Sequence, residues 1–241
     1  MTFDSSMSTA RNRFAGAGAE ITRAFADAEL PTGQQVTPEQ LVEAIGQLLE
    51  ILERNPPDDP TPAMTEAGEA EKVGSHALDF LQDLAVYAER LDLGDTSREL
   101  QRVAVAVAMW LAAWKAPVHS VEMAVNGLGQ LANETSEEPE LRRILGMMDA
   151  LVAHAGPEVK ADLEGANPYR AWRILLLNRG IVAVRSQDPD GIRRAFDEIA
   201  ERLPEDAGPF FQEALGQLRE KGGYSPEIQD LVRSYAGEGL H

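Results

Sequence analysis

Apolar residues recur along this chain at spacings of three, four and seven, and the runs are broken by clusters of proline, glycine and capping residues. The densest run is Ser97 to Lys115, SRELQRVAVAVAMWLAAWK, in which the twelve residues from Val103 to Trp114 carry no charge. Leu100, Val103, Val107, Trp110, Leu111 and Trp114 share one helical face, and alanines cover much of the rest. A helix apolar on most sides is buried on most sides, so 97–115 is predicted to be a central helix around which the others pack. It is too short for a membrane span, which needs about 20 apolar residues. The Val-Ala alternation resembles a strand, but the bulky residues keep helical spacing and alanine is a strong helix former.

The same periodicity predicts helices on either side. Phe14, Ile21 and Phe25 mark a first one, with fraying expected over the first several residues. Thr37-Pro38-Glu39-Gln40 is a helix start, followed by Leu41, Ile45, Leu48, Leu49 and Leu52 on one side. Asn55 to Pro62 holds four prolines in eight residues and reads as a linker. The expected organisation is an N-terminal helical appendage over 1–54, a proline-rich linker over 55–64 and a main all-helical domain over 65–241. A helix from Thr65 to Leu91 should stop at Gly94, with Asp95-Thr96-Ser97 capping the central helix. Further starts fall at Pro117, Ser136, Pro157, Asn167-Pro168, Asp188-Pro189, Pro209 and Ser225-Pro226. Glycines 127 and 129 in the helix after Pro117 imply close backbone packing or an imperfect helix. Short loops make consecutive helices antiparallel neighbours. The predicted fold is all-α: stacked antiparallel helix hairpins, α-solenoid-like, or an irregular helical bundle around 97–115.

Composition narrows the chemistry. With 44% apolar residues the chain can bury a normal core. It has no cysteine, which removes disulfides, thiolate nucleophiles and cysteine-ligated metals. No stretch has the pattern of a signal peptide, so a cytoplasmic location is expected. The formal charge of −18 repels nucleic acid and anionic membranes alike, and neither is an expected partner. Eighteen arginines against four lysines fit a GC-rich bacterial genome.

The charge is uneven. Residues 1–100 carry a net −12, whereas 168–204 carry a net +2 from seven arginines, 170, 173, 179, 185, 193, 194 and 202. Arginine suits bidentate pairing with carboxylate or phosphate. Arg170, Arg173, Arg185, Arg193 and Arg194 are therefore candidate residues for binding an anion, a protein partner or a second copy of the chain. The competing reading is local pairing, Arg193 and Arg194 with Asp197 and Glu198 one turn on.

Candidate catalytic chemistry is thin. His119 and Glu122 lie three apart and could present two metal ligands, but the Glu-x-x-His pattern of helical di-iron sites does not occur. Asp79 and Asp83 lie one turn apart without a second acidic motif opposite. Gly16 and Gly18 are no phosphate loop, because no strand precedes and no Lys-Ser/Thr follows. No catalytic residue, metal ligand or cofactor is assigned. The expected function is a non-enzymatic scaffold or protein-interaction module. The alternative is a small-molecule-binding or metal-dependent helical enzyme.

Within 173–206, Gly180, Phe196 and Pro204 stand where the tetratricopeptide repeat family prefers glycine, an aromatic and proline. This stretch resembles one such helical-hairpin repeat. Leu176 and Ile192 depart from the family's tryptophan and alanine preferences. The resemblance implies a concave peptide-binding surface. Leu177 and Ile181 on its inner helix, with Asn178 as the one polar candidate, do not fit the family's carboxylate clamps.

Overall fold

A computed structural model describes residues 3–28, 36–62, 64–162 and 167–237. Among these residues it contains eleven α-helices and no strand beyond a single bridge, Val118 to Ala155. The all-α expectation therefore holds. No helix among the described residues is long and apolar enough to cross a membrane. The chain divides into two compact units, one of Met1–Leu128 with Ala153–Ala161, the other of Gly129–Val152 with Asp162–His241.

The first unit is built from α1 (Met7–Asp27), α2 (Pro38–Arg54), α3 (Ala67–Arg90) and α4 (Gly94–Ala113). They close a cycle, in which α1 packs on α2 and α4, and α3 on α2 and α4. In α4 every residue from Val103 to Ala108 is at most 1% exposed, as are Leu100 and Leu111. The predicted central helix is thus the core of this unit. Gly74 lets α3 approach it, since a Cβ there would lie 2.5 Å from Leu111 Cδ2. Gly127, in α5 (Glu122–Asn133), does the same on another side: its Cβ would meet the Gln101 carbonyl at 2.7 Å. Close backbone packing is therefore the reason for that glycine.

The N-terminal helices are not an appendage to this core; they form half of the cycle. The reason lies in the proline run. Asn55, 5% exposed, caps α2 and ties the run down. Its amide donates to the Ile51 carbonyl at 2.7 Å, and its Oδ1 accepts from Thr61 N–H and hydroxyl at 3.1 and 2.5 Å. Its carbonyl accepts from the indoles of both Trp110 and Trp114, at 3.0 and 3.2 Å. The prolines shape a turn that is fastened to α4.

Several helix starts differ from expectation. The α3–α4 turn is tight, closed by Asp92 at φ +56° and by a bond from Leu93 N–H to the Ala88 carbonyl. Helix α4 therefore begins at Gly94, and Thr96 caps nothing but donates from a buried position to Glu20 at 2.5 Å. Pro117 does not open α5. The Val118 backbone pairs with His154 and Gly156, at 2.7 and 2.8 Å, which holds 116–121 out of helix until Glu122. At the N-terminus Ser6 caps α1 and Phe3 is buried, so order begins earlier than expected.

The second unit holds most of α6 (Glu138–His154), with α8 (Ala171–Arg185), α9 (Pro189–Arg202), α10 (Pro204–Lys221) and α11 (Pro226–Tyr235); the short α7 (Pro157–Lys160) belongs to the first. Helix α8 packs on α9, and α9 on α10 and α11. Pro204, not Pro209 as expected, opens α10 at a position whose N–H needs no partner, and Pro209 lies inside that helix. Phe196 of α9 stacks on Phe211 with ring centroids 4.8 Å apart and meets Phe210 and Tyr235 edge-on. Gly180 admits this cluster against α8, since a Cβ there would lie 2.7 Å from Phe210 Cζ.

Truncating Trp110 to alanine should cost about 3–5 kcal/mol, as large aromatic truncations in cores do, read by denaturant unfolding. A chain beginning at Thr65 should lose cooperative unfolding, because half of the cycle around α4 is then missing. A sharp melting transition in that shortened chain would show that α1 and α2 are dispensable.

Candidate functional site

The arginines of 168–204 were the sharpest signal in the sequence, and the structure pairs most of them internally. Arg170 reaches Asp162 at 2.6 Å and the Asn167 carbonyl at 2.9 Å. Arg173 holds Asp206 with two parallel bonds, 2.8 and 2.6 Å. That guanidinium keeps the Asp206 carboxyl below its ordinary pKa. Arg193 pairs with Asp190, and Arg194 with Asp149 and Asp188. The expected partners one turn on are engaged elsewhere: Asp197 accepts from Tyr235, and Glu198 from the buried Arg179, which also holds Asp149 at 2.6 Å. Arg202 lies 3.6 Å from Glu201.

Arg185 is the exception. Its Nη2 donates to the Thr135 carbonyl at 2.6 Å, and no carboxylate among the described residues lies within ion-pair distance. It stands at the edge of an apolar slot of about 230 Å³ between α8 and α10. Ile174, Leu177 and Ile181 form one wall, and Phe210, Ala214 and Leu218 the other. Both sets follow helical spacing, so each is one stripe of its helix. Asn178 faces the slot and makes no side-chain hydrogen bond among the described residues. Glu213 lies on the α10 side, where Gln217 donates to it at 3.3 Å.

The sequence placed Leu177, Asn178 and Ile181 on one helix but gave no sign that α10 would pack opposite them or that Arg185 would stand beside them. Trp172, Leu175, Leu176 and Ala183 are buried, yet Ile174, Leu177 and Ile181 form a second apolar stripe, with Ile181 40% exposed. A helix apolar on two faces was the available signal.

His119 does not face Glu122 as a ligand pair. Its Nε2 lies 2.9 Å from Glu71 on α3 and its Nδ1 2.5 Å from Glu158 on α7. A neutral imidazole donates from one nitrogen only, so two carboxylate contacts call for the charged ring. The bond to Glu71 raises the His119 pKa, burial lowers it in part, and Glu158 adds to the rise. Among the described residues no three His, Asp or Glu side chains are arranged to hold a metal.

No family model matches this chain, and neither a curated protein nor a solved structure is significantly similar to it.

Because the folded pKa of His119 lies above the ordinary 6.5, its brace is complete below 6.5. The brace is lost as pH rises through the folded value. The effect on stability is small, since ion pairs this exposed contribute about 0–1 kcal/mol. The titration itself is the cleaner readout. A Cβ at Gly156 would overlap the Glu158 carboxylate and lie 2.8 Å from His119 Nδ1. Gly156→Ala should therefore swing the exposed Glu158 tip away and lower the His119 pKa, measured by NMR. An unchanged titration curve would mean that Glu158 does not hold the ring.

Proposed function

We propose that this protein is a non-enzymatic helical interaction module that grips a protein partner through the slot between α8 and α10. The observation that carries the reading is the coincidence of an open apolar slot with Arg185, a cation that has no acid partner among the described residues. The other six arginines of 168–204 are paired with acids of the chain, and among the described residues no nucleophile with an adjacent base lines the slot. Its volume supports the same view. Pockets for small organic ligands enclose about 300–1,000 Å³, whereas about 230 Å³ suits side chains offered by a larger partner. The hairpins α8–α9 and α10–α11 present their first helices on either side of the slot, as a tetratricopeptide-like array would. The close crossing at Gly180 is in keeping with that resemblance. The cysteine-free, acidic sequence fits work in the cytoplasm.

A photo-crosslinking residue at position 181 tests this in living cells. It should trap a defined polypeptide, and the adduct should vanish when Leu177→Asp is introduced as well. The same reporter at the exposed Glu39 position of α2 should trap nothing comparable. Identical adducts at both positions, or none at 181, would remove the slot from consideration as an interaction site.

A further inference from the structure

We infer that the occupant of the slot is a short segment of a partner protein that seats one large apolar side chain between α8 and α10 and sets a single carboxylate against Arg185. This rests on the interaction reading above and specifies its chemistry.

Size selects the anchor. The slot's volume of about 230 Å³ falls short of the about 300–1,000 Å³ usual for small organic ligands and suits a side chain or two from a larger partner. That is one aromatic side chain or two aliphatic ones. Aromatic anchors in dry pockets are the usual centres of binding energy.

Charge selects the neighbour. Of the seven arginines between 170 and 202, six have an acid within 4 Å, and Arg185 alone has none among the described residues. The Thr135 carbonyl fixes one edge of its guanidinium at 2.6 Å, and the remaining N–H donors keep their planar fork for a carboxylate. An occupant that covered Arg185 without bringing an acid would bury an unpaired cation, which is costly. That penalty discriminates against neutral and basic segments. The chain's net charge of −18 discriminates in the other direction, against a run of acids. One carboxylate satisfies both. Asn178 lies two helical turns before Arg185 on the same face of α8 and offers its amide to the segment's backbone.

Selection from a random dodecapeptide library on the full chain, counter-selected against Ile181→Asp, is the test. Slot-dependent peptides should carry an aromatic or large aliphatic residue with one Asp or Glu within a helical turn. Their affinity should drop at least about tenfold on Arg185→Glu. Selection on that variant should enrich Lys or Arg in place of the acid. Arg185→Gln, which introduces no repulsion, should weaken the same peptides, and circular dichroism checks that each variant is folded. Slot-dependent peptides without an acid, or peptides indifferent to both Arg185 variants, would overturn the inference. If no slot-dependent peptide emerges while the crosslink at 181 still traps a slot-dependent partner, this chemistry fails and the interaction reading stands. If the crosslink fails too, both fall. Self-association that sediments as a dimer and is lost in Ile181→Asp would assign the slot to a second copy and overturn the partner proposed here.

Discussion

A helical run with no polar face has to be surrounded, and in the first unit that requirement falls on the second half of α4. Its run from Val103 to Ala108 is sealed from water on every side. Burying apolar surface is favourable by about 25 cal/mol per Å², so leaving any side of α4 open would forfeit part of the main driving force. Helices α1, α2 and α3 close the cycle with α4, and small residues allow close approach, Gly74 bringing α3 against Leu111 and Gly127 bringing α5 against the Gln101 backbone. The two tryptophans add a second demand. An indole N–H taken wholly or partly out of water needs an acceptor, and one carbonyl, that of Asn55, serves both with its two lone pairs.

In the second unit the ordering principle is electrostatic as much as apolar. With forty acids against twenty-two Lys and Arg, carboxylates are in excess, and a guanidinium on such a surface readily finds one. Arg179 shows the extreme case, a buried cation held by Asp149 and Glu198 together. Against that background a cation that among the described residues meets a backbone carbonyl and no acid is conspicuous, and it alone of the seven arginines lines the apolar slot.

The fold class was legible because helical spacing of Leu, Val, Ile and Trp is a local signal. The same holds for the caps at Thr37, Asp188 and Ser225, whose side chains bond the first turns as read. What could not be read depends on long-range pairing. Proline content marks a break in helix, and it says nothing about whether the break is free or fastened. The fastening came from two indoles more than fifty residues away in the chain. Val118 is apolar at helical spacing, yet its backbone belongs to the 154–156 segment. The arginines were visible as a cluster, but only geometry separates the six that meet an acid from Arg185, which meets none among the described residues.

The division of the chain has a temporal consequence. The first unit includes Ala153–Ala161, yet the second claims Gly129–Val152 before it. As the chain leaves the ribosome, the N-terminal unit therefore waits for a strap that emerges after part of its neighbour. Domains generally fold as units, N-terminal first, but here neither can be finished from a contiguous piece of sequence. No single cut separates the two, and a gene fusion or truncation placed between 128 and 162 would take material from both.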